Sequence, residues 1–156
     1  MPMRDPRTGL VKSPFTILES DSNVTKASAD IVTATEGTLF TYKVPLGVAI
    51  EITPANFFFI DLIDTADNAV VDGADGIVKL IKANQTETEK REVWSGPDTL
   101  FSGNIYDVRT RPQIRAPVIL NASQKLLIVV KATVVGGIDK DNSKMTVECM
   151  QYYEEV

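Results

Sequence analysis

The chain has 156 residues, of which 44% are hydrophobic and 24% charged, and its formal net charge is −5. The single cysteine, Cys149, excludes an intrachain disulfide, and the absence of histidine excludes histidine-dependent catalysis and histidine-ligated zinc. The acidic balance argues against nucleic acid as the main partner, and no apolar run approaches the roughly 18 residues that a membrane helix needs. We therefore expect one domain that is not an enzyme, needs no cofactor and binds neither nucleic acid nor a membrane.

The N-terminal segment differs in composition from the rest of the chain. Residues 1–14 hold three of the eight prolines, which disfavour a helix and a central strand. We expect an extended arm over residues 1–14 and a β-sandwich domain over residues 15–156. The arm is either a disordered terminus or a contact with a neighbouring subunit or a host surface. Its cationic side chains, which are candidate partner contacts, are Arg4, Arg7 and Lys12.

An alternation of apolar and polar residues along most of the chain predicts β-strands. In "GTLFTYKV", Phe40 and Tyr42 fall on one face, and Leu39 and Thr41 fall on the other. Many short segments of this kind, separated by turn-forming residues, indicate an all-β fold, a single jelly-roll-like β-sandwich of about 8–10 strands. Residues 20–31 are the one segment whose pattern admits a helical turn. Further predicted strands lie in "NFFFIDLI", "GIVKLIKA", "REVW", "PVIL", "QKLLIVVKATVV" and "SKMTVECMQYY".

The segment "DLIDTADNAVVDGADG" is rich in aspartate. Converging carboxylates could bind a hard cation such as calcium. The same residues are typical of two successive turns, because aspartate accepts local backbone hydrogen bonds and glycine adopts a positive φ. We favour the turns and predict no metal site, and we expect a negatively charged surface in either case. The aspartates are Asp61, Asp64, Asp67, Asp72 and Asp75.

Three aromatic residues lie in the Gly- and Pro-containing stretch "EVWSGPDTLFSGNIYD", namely Trp94, Phe101 and Tyr106. Aromatic rings on loops can stack on sugars or bases, whereas in a sandwich they more often close the end of the core. These residues are the candidate ligand contacts of an alternative function, a carbohydrate- or receptor-binding module that calcium at the aspartates would assist.

A cationic segment, "DVRTRPQIR", follows the aromatic stretch. Arg109, Arg111 and Arg115 fall on one side if the segment is extended. Pro112 and Pro117 exclude an interior strand, which predicts a sheet edge or a surface excursion. The arginines either bind a carboxylate-rich partner through bidentate pairs or form a solvated edge that resists aggregation. We take the three arginines as candidate partner contacts.

The polar segment "GGIDKDNSK" separates the last two predicted strands. A calcium loop of the EF-hand type that begins at Asp139 would need glycine at Lys144 and glutamate at Met150, so the pattern fails at two positions. The flanking segments both alternate with period 2: Leu126, Ile128 and Val130 share a face before it, as do Met145, Val147 and Cys149 after it. We therefore predict a hairpin between the last two strands.

A resemblance to a known group of proteins lies in "LFTYKVPLGVAIEI". A strand ends at Tyr42-x-Val44-Pro45-x-Gly47, and an alternating strand through Ile50 and Ile52 follows. This pattern resembles β-sandwich proteins of tailed-phage particles, including jelly-roll capsid decoration (cement) proteins. The later segment "LNASQKLLIVVKATV" is similar to the polar turn and long strand near the C-terminus of such sandwiches. The resemblance covers part of the chain and transfers no binding or catalytic residue.

The resemblance implies a structural role in a virus particle. We expect a virion protein that decorates and stabilises a capsid by binding the major capsid protein, and that assembles as a homo-oligomer, with a trimer as the expected order. An enzyme based on a carboxylate pair is the weakest hypothesis, because nothing in the spacing of the acidic residues singles out such a pair.

Overall fold

Every regular element that the structure describes is a β-strand. The computed structural model describes residues 3–4, 9–65, 77–97, 112–131 and 137–154, and these ranges contain eleven strands and no helix. The strands are β1 (Met3–Arg4), β2 (Val11–Leu18), β3 (Val24–Lys26), β4 (Gly37–Lys43), β5 (Val48–Ile52), β6 (Phe58–Asp61), β7 (Ile77–Ala83), β8 (Lys90–Pro97), β9 (Val118–Leu120), β10 (Lys125–Lys131) and β11 (Lys144–Tyr153).

The strands form two antiparallel sheets that face each other. The first sheet has the order β1-β2-β11-β5-β9, with β6 paired to β11 beside β5, and the second has the order β3-β4-β10-β7-β8. The sandwich has eight principal strands, β2-β11-β5-β9 in one sheet and β4-β10-β7-β8 in the other. This is the strand order of a jelly roll. The predicted all-β sandwich is confirmed, and the short strands β1, β3 and β6 bring the described total above the expected 8–10.

Alternation of side chains builds the core between the sheets. The central strand of the first sheet, β11, buries Met145, Val147 and Cys149, as the sequence predicts. In β10, the central strand of the second sheet, the face predicted from Leu126, Ile128 and Val130 belongs to the same core cluster. The opposite face of β10 is also buried, in a small cluster of its own. A continuous apolar run is the expected pattern for a strand that is covered on both faces.

The alternation predicted for β4 fails at one residue. Leu39 and Phe40 are consecutive, yet both are fully buried in the main core. The cause is a β-bulge: Ile128 of β10 pairs with Phe40 and the next residue, Val129, pairs with Thr38, so Leu39 has no partner in the ladder. The extra residue lets two successive side chains enter the core. Sequence periodicity alone does not reveal such an insertion.

The predicted hairpin between the last two strands is wrong. β10 lies in the second sheet between β4 and β7, whereas β11 lies in the first sheet between β2 and the pair β5 and β6. The connection crosses from one sheet to the other. In it, the Asp139 carboxylate accepts hydrogen bonds from the backbone of Asp141 and Asn142, at 2.8 and 3.2 Å, which is a turn role. Local polarity predicts a turn correctly but does not predict which strand the chain joins next.

Close backbone contact fixes this crossover. Ile138 and Ile31 exchange two backbone hydrogen bonds, of 2.8 and 3.0 Å. The neighbouring Gly137 has φ +85°, and a Cβ atom at this position would overlap the carbonyl oxygen of Ile31. Glycine is therefore required here both by its conformation and by the approach of the other chain segment.

Residues 20–31 do not contain the helical turn that their pattern admits. They form tight turns at Leu18–Asp21 and Asp21–Val24, followed by the three-residue strand β3. β3 pairs with β4 along one edge of the second sheet. The polar composition of this segment reflects the turns and the exposed edge.

Residues 11–14 belong to β2, which pairs with β11 over its whole length. The boundary predicted at residue 14 therefore falls inside a strand. Pro14 is tolerated there because β1 pairs with β2 only at Val11 and Lys12, which leaves the outer edge of β2 unpaired at Pro14 among the described strands. Residues 1, 2 and 5–8 lie outside the described ranges, so the division into an arm (1–14) and a domain (15–156) stays a prediction.

Two buried side chains that can lose a proton, Cys149 of β11 and Tyr42 of β4, lie near Phe15 of β2. The Cys149 thiol donates a hydrogen bond to the carbonyl oxygen of Phe15, at 3.4 Å, and burial raises the pKa of the thiol to about 12. Burial, with smaller contributions from the charges of Cys149 and Asp21, raises the pKa of Tyr42 to about 12 as well. Both groups are therefore held in their neutral forms, because ionisation would place an uncompensated charge in the core.

We expect Gly137→Ala to lower the free energy of unfolding by at least about 2 kcal/mol, because the new Cβ atom adds a steric overlap to an unfavourable φ. Urea denaturation of the purified protein measures the change. Gly47→Ala is the matched control, since Gly47 has φ +78° but nothing within 4 Å of the Cβ position. Equal losses in the two variants would contradict a role for the contact with Ile31.

Stability should fall in alkaline solution. The unfolded chain loses the protons of cysteine and tyrosine near pH 9.0 and 10.0, whereas the folded protein holds them to about pH 12. The contribution of these two protonated groups to the free energy of unfolding is therefore complete below pH 9. It is lost as the pH rises towards 12, by up to about 1.4 kcal/mol per pH unit for each group. Urea denaturation at a series of pH values measures the free energy of unfolding, which should decline less steeply with pH for Cys149→Ala than for the parent protein. An unchanged slope would mean that the thiol ionises freely in the folded state.

Candidate functional site

A groove lies at one open side of the sandwich, between an edge of each sheet. Strand β8 is the last strand of the second sheet, and β9 is the last strand of the first sheet. Residues 91–95 of β8 and residues 112–118, which lead into β9, form the walls of this groove, whose volume is about 660 Å³. We call it the edge groove.

The wall formed by residues 112–118 is fixed to the core by three buried side chains. Pro112 is buried, Ile114 is 2% exposed and Val118 is 3% exposed. The other four residues of this wall, among them Gln113 and Arg115, are exposed. The predicted surface excursion around Pro112 and Pro117 is therefore a surface segment held by buried residues, and it bends at Arg115, which lines the groove.

The other wall contains the single tryptophan. Trp94 is half-buried and packs against Phe58 of the first sheet, with ring centroids 5.0 Å apart and an interplanar angle of 76°. This edge-to-face contact joins the two sheets at their margin. A bulge at Val93 precedes the tryptophan, since Leu80 pairs with Trp94 and Ile81 pairs with Glu92. Trp94 thus both closes the core and lines the edge groove.

The edge groove brings together residues predicted for two different functions. Trp94 is a candidate ligand contact and Arg115 is a candidate partner contact, and they are 21 positions apart in the sequence. The structure adds Arg91, which the sequence argument missed. The signal for Arg91 was the Lys90-Arg91 pair at the start of the predicted strand "REVW". Arg109, Arg111, Phe101 and Tyr106 lie outside the described residues.

The cationic residues near the N-terminus lie elsewhere. Lys12 is in β2, at the opposite end of the first sheet from β9, so the structure separates it from Arg115. Arg4 belongs to β1, which pairs with β2 next to Lys12, and Arg7 lies outside the described ranges. The two predicted groups of partner contacts therefore do not form one surface in the part of the chain that the structure describes.

Lys12 borders a second cleft, of about 640 Å³, that the sequence argument missed. Leu46, Tyr152 and Tyr153 are among its lining residues, and Leu46 is 85% exposed. The Lys12 ammonium lies 5.5 Å from the centroid of the Tyr152 ring, and the Tyr152 hydroxyl donates to Glu51 at 3.1 Å. The "QYY" end of β11 was the available signal. We call this feature the tyrosine cleft.

The described part of the aspartate-rich segment shows no grouping of metal ligands. Asp61 lies in β6, where burial raises the pKa of its carboxyl, and Asp64 forms a backbone bridge with Ile138. Asp67, Asp72 and Asp75 lie outside the described residues. Within the described ranges, no three acidic or cysteine side chains are placed to hold a metal ion. Asp139 instead bonds to its own loop, and its hydrogen bonds with Asn142 and Asp141 lower the pKa of its carboxyl.

None of the described residues forms a helix that is long and apolar enough to cross a membrane.

Solved structures with the same architecture come from a bacteriophage. VP17, a capsid protein of bacteriophage P23-77, matches with a TM-score of 0.66 and 10% sequence identity, over 93% of this chain and 97% of that chain. A chain of the VP16-VP17 complex, formed by the two major capsid proteins of this phage, matches with a TM-score of 0.64 and 10% identity, over 90% and 98% of the two chains. No protein-family model and no curated protein matches the sequence. The comparison confirms the implied sandwich fold.

We expect Trp94→Ala to lower the free energy of unfolding by about 2 kcal/mol, because the contact between the sheets at Phe58 is lost from a half-buried position. Trp94→Phe should lose less than half of this amount, since a smaller ring keeps part of the contact. Urea denaturation measures both variants, and Arg115→Ala, an exposed position on the opposite wall, is the control. A tryptophan variant as stable as the control would show that the ring does not join the sheets.

Proposed function

We propose that this protein is a structural component of a bacteriophage particle, located in the virion and acting through contacts with other capsid subunits. The observation that carries the proposal is the shared sandwich, which extends over nearly the whole of both chains in the comparison with a capsid protein. The proposal is an analogy of fold, and a structural role of this kind requires complementary surfaces on the subunits and no set of reactive groups.

A protein in such a role acts by binding the assembled shell, which shifts the equilibrium towards assembly. A subunit that binds only the assembled shell stabilises that shell, and several weak contacts on one subunit multiply their effects. The edge groove lies beside the last strand of each sheet, whereas the tyrosine cleft lies at the ends of the interior strands β11 and β5, so the two are separate contact surfaces. Aromatic side chains, which both surfaces contain, and arginine side chains, which the edge groove contains, commonly dominate the binding energy of interfaces.

In more detail, we infer that the protein decorates a shell made by a major capsid protein and assembles as a homo-oligomer, with a trimer as the expected order. The partner contacts in this form of the proposal are Arg4, Arg7, Lys12, Arg109, Arg111 and Arg115. A second form, in which the chain is itself a shell subunit, is favoured by one observation: the similar chains are capsid proteins, and this chain spans 97% of VP17.

A carbohydrate- or receptor-binding module is the alternative function, with Trp94, Phe101 and Tyr106 as ligand contacts. The position of Trp94 in the edge groove supports it. The edge-to-face contact with Phe58 favours the structural role of the ring, since a sugar would need its open face. A glycan array that stays silent at high protein concentration would remove this alternative.

We expect the protein to co-purify with intact phage particles and to be labelled on them by a specific antibody.

Mild dissociation of the particles separates the two forms of the proposal. A decoration protein leaves a shell of unchanged size, whereas removal of a shell subunit breaks the shell. Sedimentation equilibrium of the released protein measures the oligomer, and a strict monomer would contradict the trimer. Absence of the protein from purified particles would overturn the proposed function.

A further inference from the structure

A strip of positive charge runs along the margin of the sandwich at β8. Three of its cationic side chains are exposed, namely Lys90, Arg91 and Arg115. The fourth, Lys82, donates from its ammonium group to the backbone carbonyl of Ile119 in β9, at 2.6 Å, and so lies where the two sheets meet. Two acidic residues, Glu89 and Glu92, lie in the same strip. The strip thus has an excess of positive charge on a chain whose net charge is −5.

The surface along this strip is elongated. A second hollow, of about 320 Å³, lies next to the edge groove, and Arg91 lines both. The two hollows follow β8, whose eight residues span roughly 26 Å at the usual rise of a strand. A surface of this shape fits an extended chain segment better than a compact ligand. β8 is the last strand of the second sheet among the described residues, and sheet edges commonly receive extended peptides.

The walls of the edge groove offer apolar contacts between the charges. Val93 and Trp94 lie on the β8 side, and Pro117 lies on the opposite side. An extended segment presents successive side chains to opposite faces, so alternate residues of an occupant can reach different parts of the groove. Apolar side chains would contact Trp94 and Val93, and carboxylates would reach Arg91 and Arg115.

We propose that the edge groove binds an extended, acidic segment of a neighbouring capsid subunit, with Arg91 and Arg115 as the residues that recognise its carboxylates. This inference rests on the proposed function and adds the chemistry of the partner. Charge complementarity selects the occupant, because guanidinium groups form bidentate pairs with carboxylates. A peptide is favoured over nucleic acid because β8, the last strand of its sheet among the described residues, can pair with an extended peptide backbone.

The direct test uses a fluorescein-labelled decapeptide of alternating aspartate and valine as the probe. Fluorescence anisotropy with the full-length protein should show binding that weakens as salt is added. Arg91→Glu and Arg115→Glu should each weaken binding about tenfold or more, because a charge pair becomes a repulsion. Lys43→Glu is the matched control and should leave binding unchanged, since Lys43 is an exposed cation in β4, at the other side of the second sheet.

Three outcomes would overturn the inference. They are the absence of binding by the acidic probe, equal weakening by Lys43→Glu, and tighter binding of an alternating lysine–valine peptide or a single-stranded oligonucleotide at the same residues. Circular dichroism and urea denaturation confirm that each variant is folded. Exposed surface arginines rarely contribute enough to stability for their replacement to prevent folding.

Incorporation into particles separates this inference from the proposed function. If the parent protein is found in particles and Arg91→Glu/Arg115→Glu is incorporated equally well, the inference fails and the proposed function stands. If the parent protein is absent from particles, the proposed function fails whatever the peptide assay shows. Loss of the double variant from particles, with normal incorporation of Lys43→Glu, supports both.

Discussion

The packing of β10 against β11 is the interaction on which the rest of the structure depends. Each is the central strand of its sheet, with neighbours on both sides. The inward side chains of these strands form the middle of the core, and each is no more than 2% exposed: Leu126, Ile128, Val130, Met145, Val147 and Cys149. Burial of apolar surface is the dominant favourable contribution to folding. β11 pairs directly with β2, β5 and β6, and β10 pairs directly with β4 and β7; the remaining strands pair with these. The crossover at Gly137 and Ile138, held to Ile31 by two backbone hydrogen bonds, brings the strands face to face.

This arrangement also determines where binding surfaces can form. β8 is the last strand of the second sheet and β9 is the last strand of the first sheet. These two margins lie on the same side of the sandwich, where residues beside them line one groove. The side chains of Ile114 and Trp94 close that margin from either wall, and polar residues beside them face solvent. The edge groove is therefore a consequence of how the core is closed. Its cationic residues, Arg91 and Arg115, occupy exposed positions beside the buried residues of the two walls.

The edge groove and the tyrosine cleft are the two surfaces through which the proposed capsid role would operate. The edge groove is cationic and lies beside β9, whereas the tyrosine cleft is largely apolar and lies where β11 ends and β5 begins, beside Lys12 of β2. Surfaces of different chemistry in separate places allow one subunit to contact two different neighbours. Heterologous contacts of this kind close into rings when the rotation between subunits permits it, which is how an oligomer such as a trimer would form.

The sequence by itself determined the strands, most of their buried faces and the turns between them. Those features follow from the alternation of neighbouring side chains, as in Met145, Val147 and Cys149, and from the local hydrogen bonding of residues such as Asp139. The tertiary structure alone decided that β10 and β11 belong to different sheets, that Leu39 enters the core through a bulge, and that Trp94 and Arg115 share a groove with Arg91. Side-chain alternation is a property of adjacent residues, whereas the choice of a pairing partner depends on which distant surfaces can be buried together.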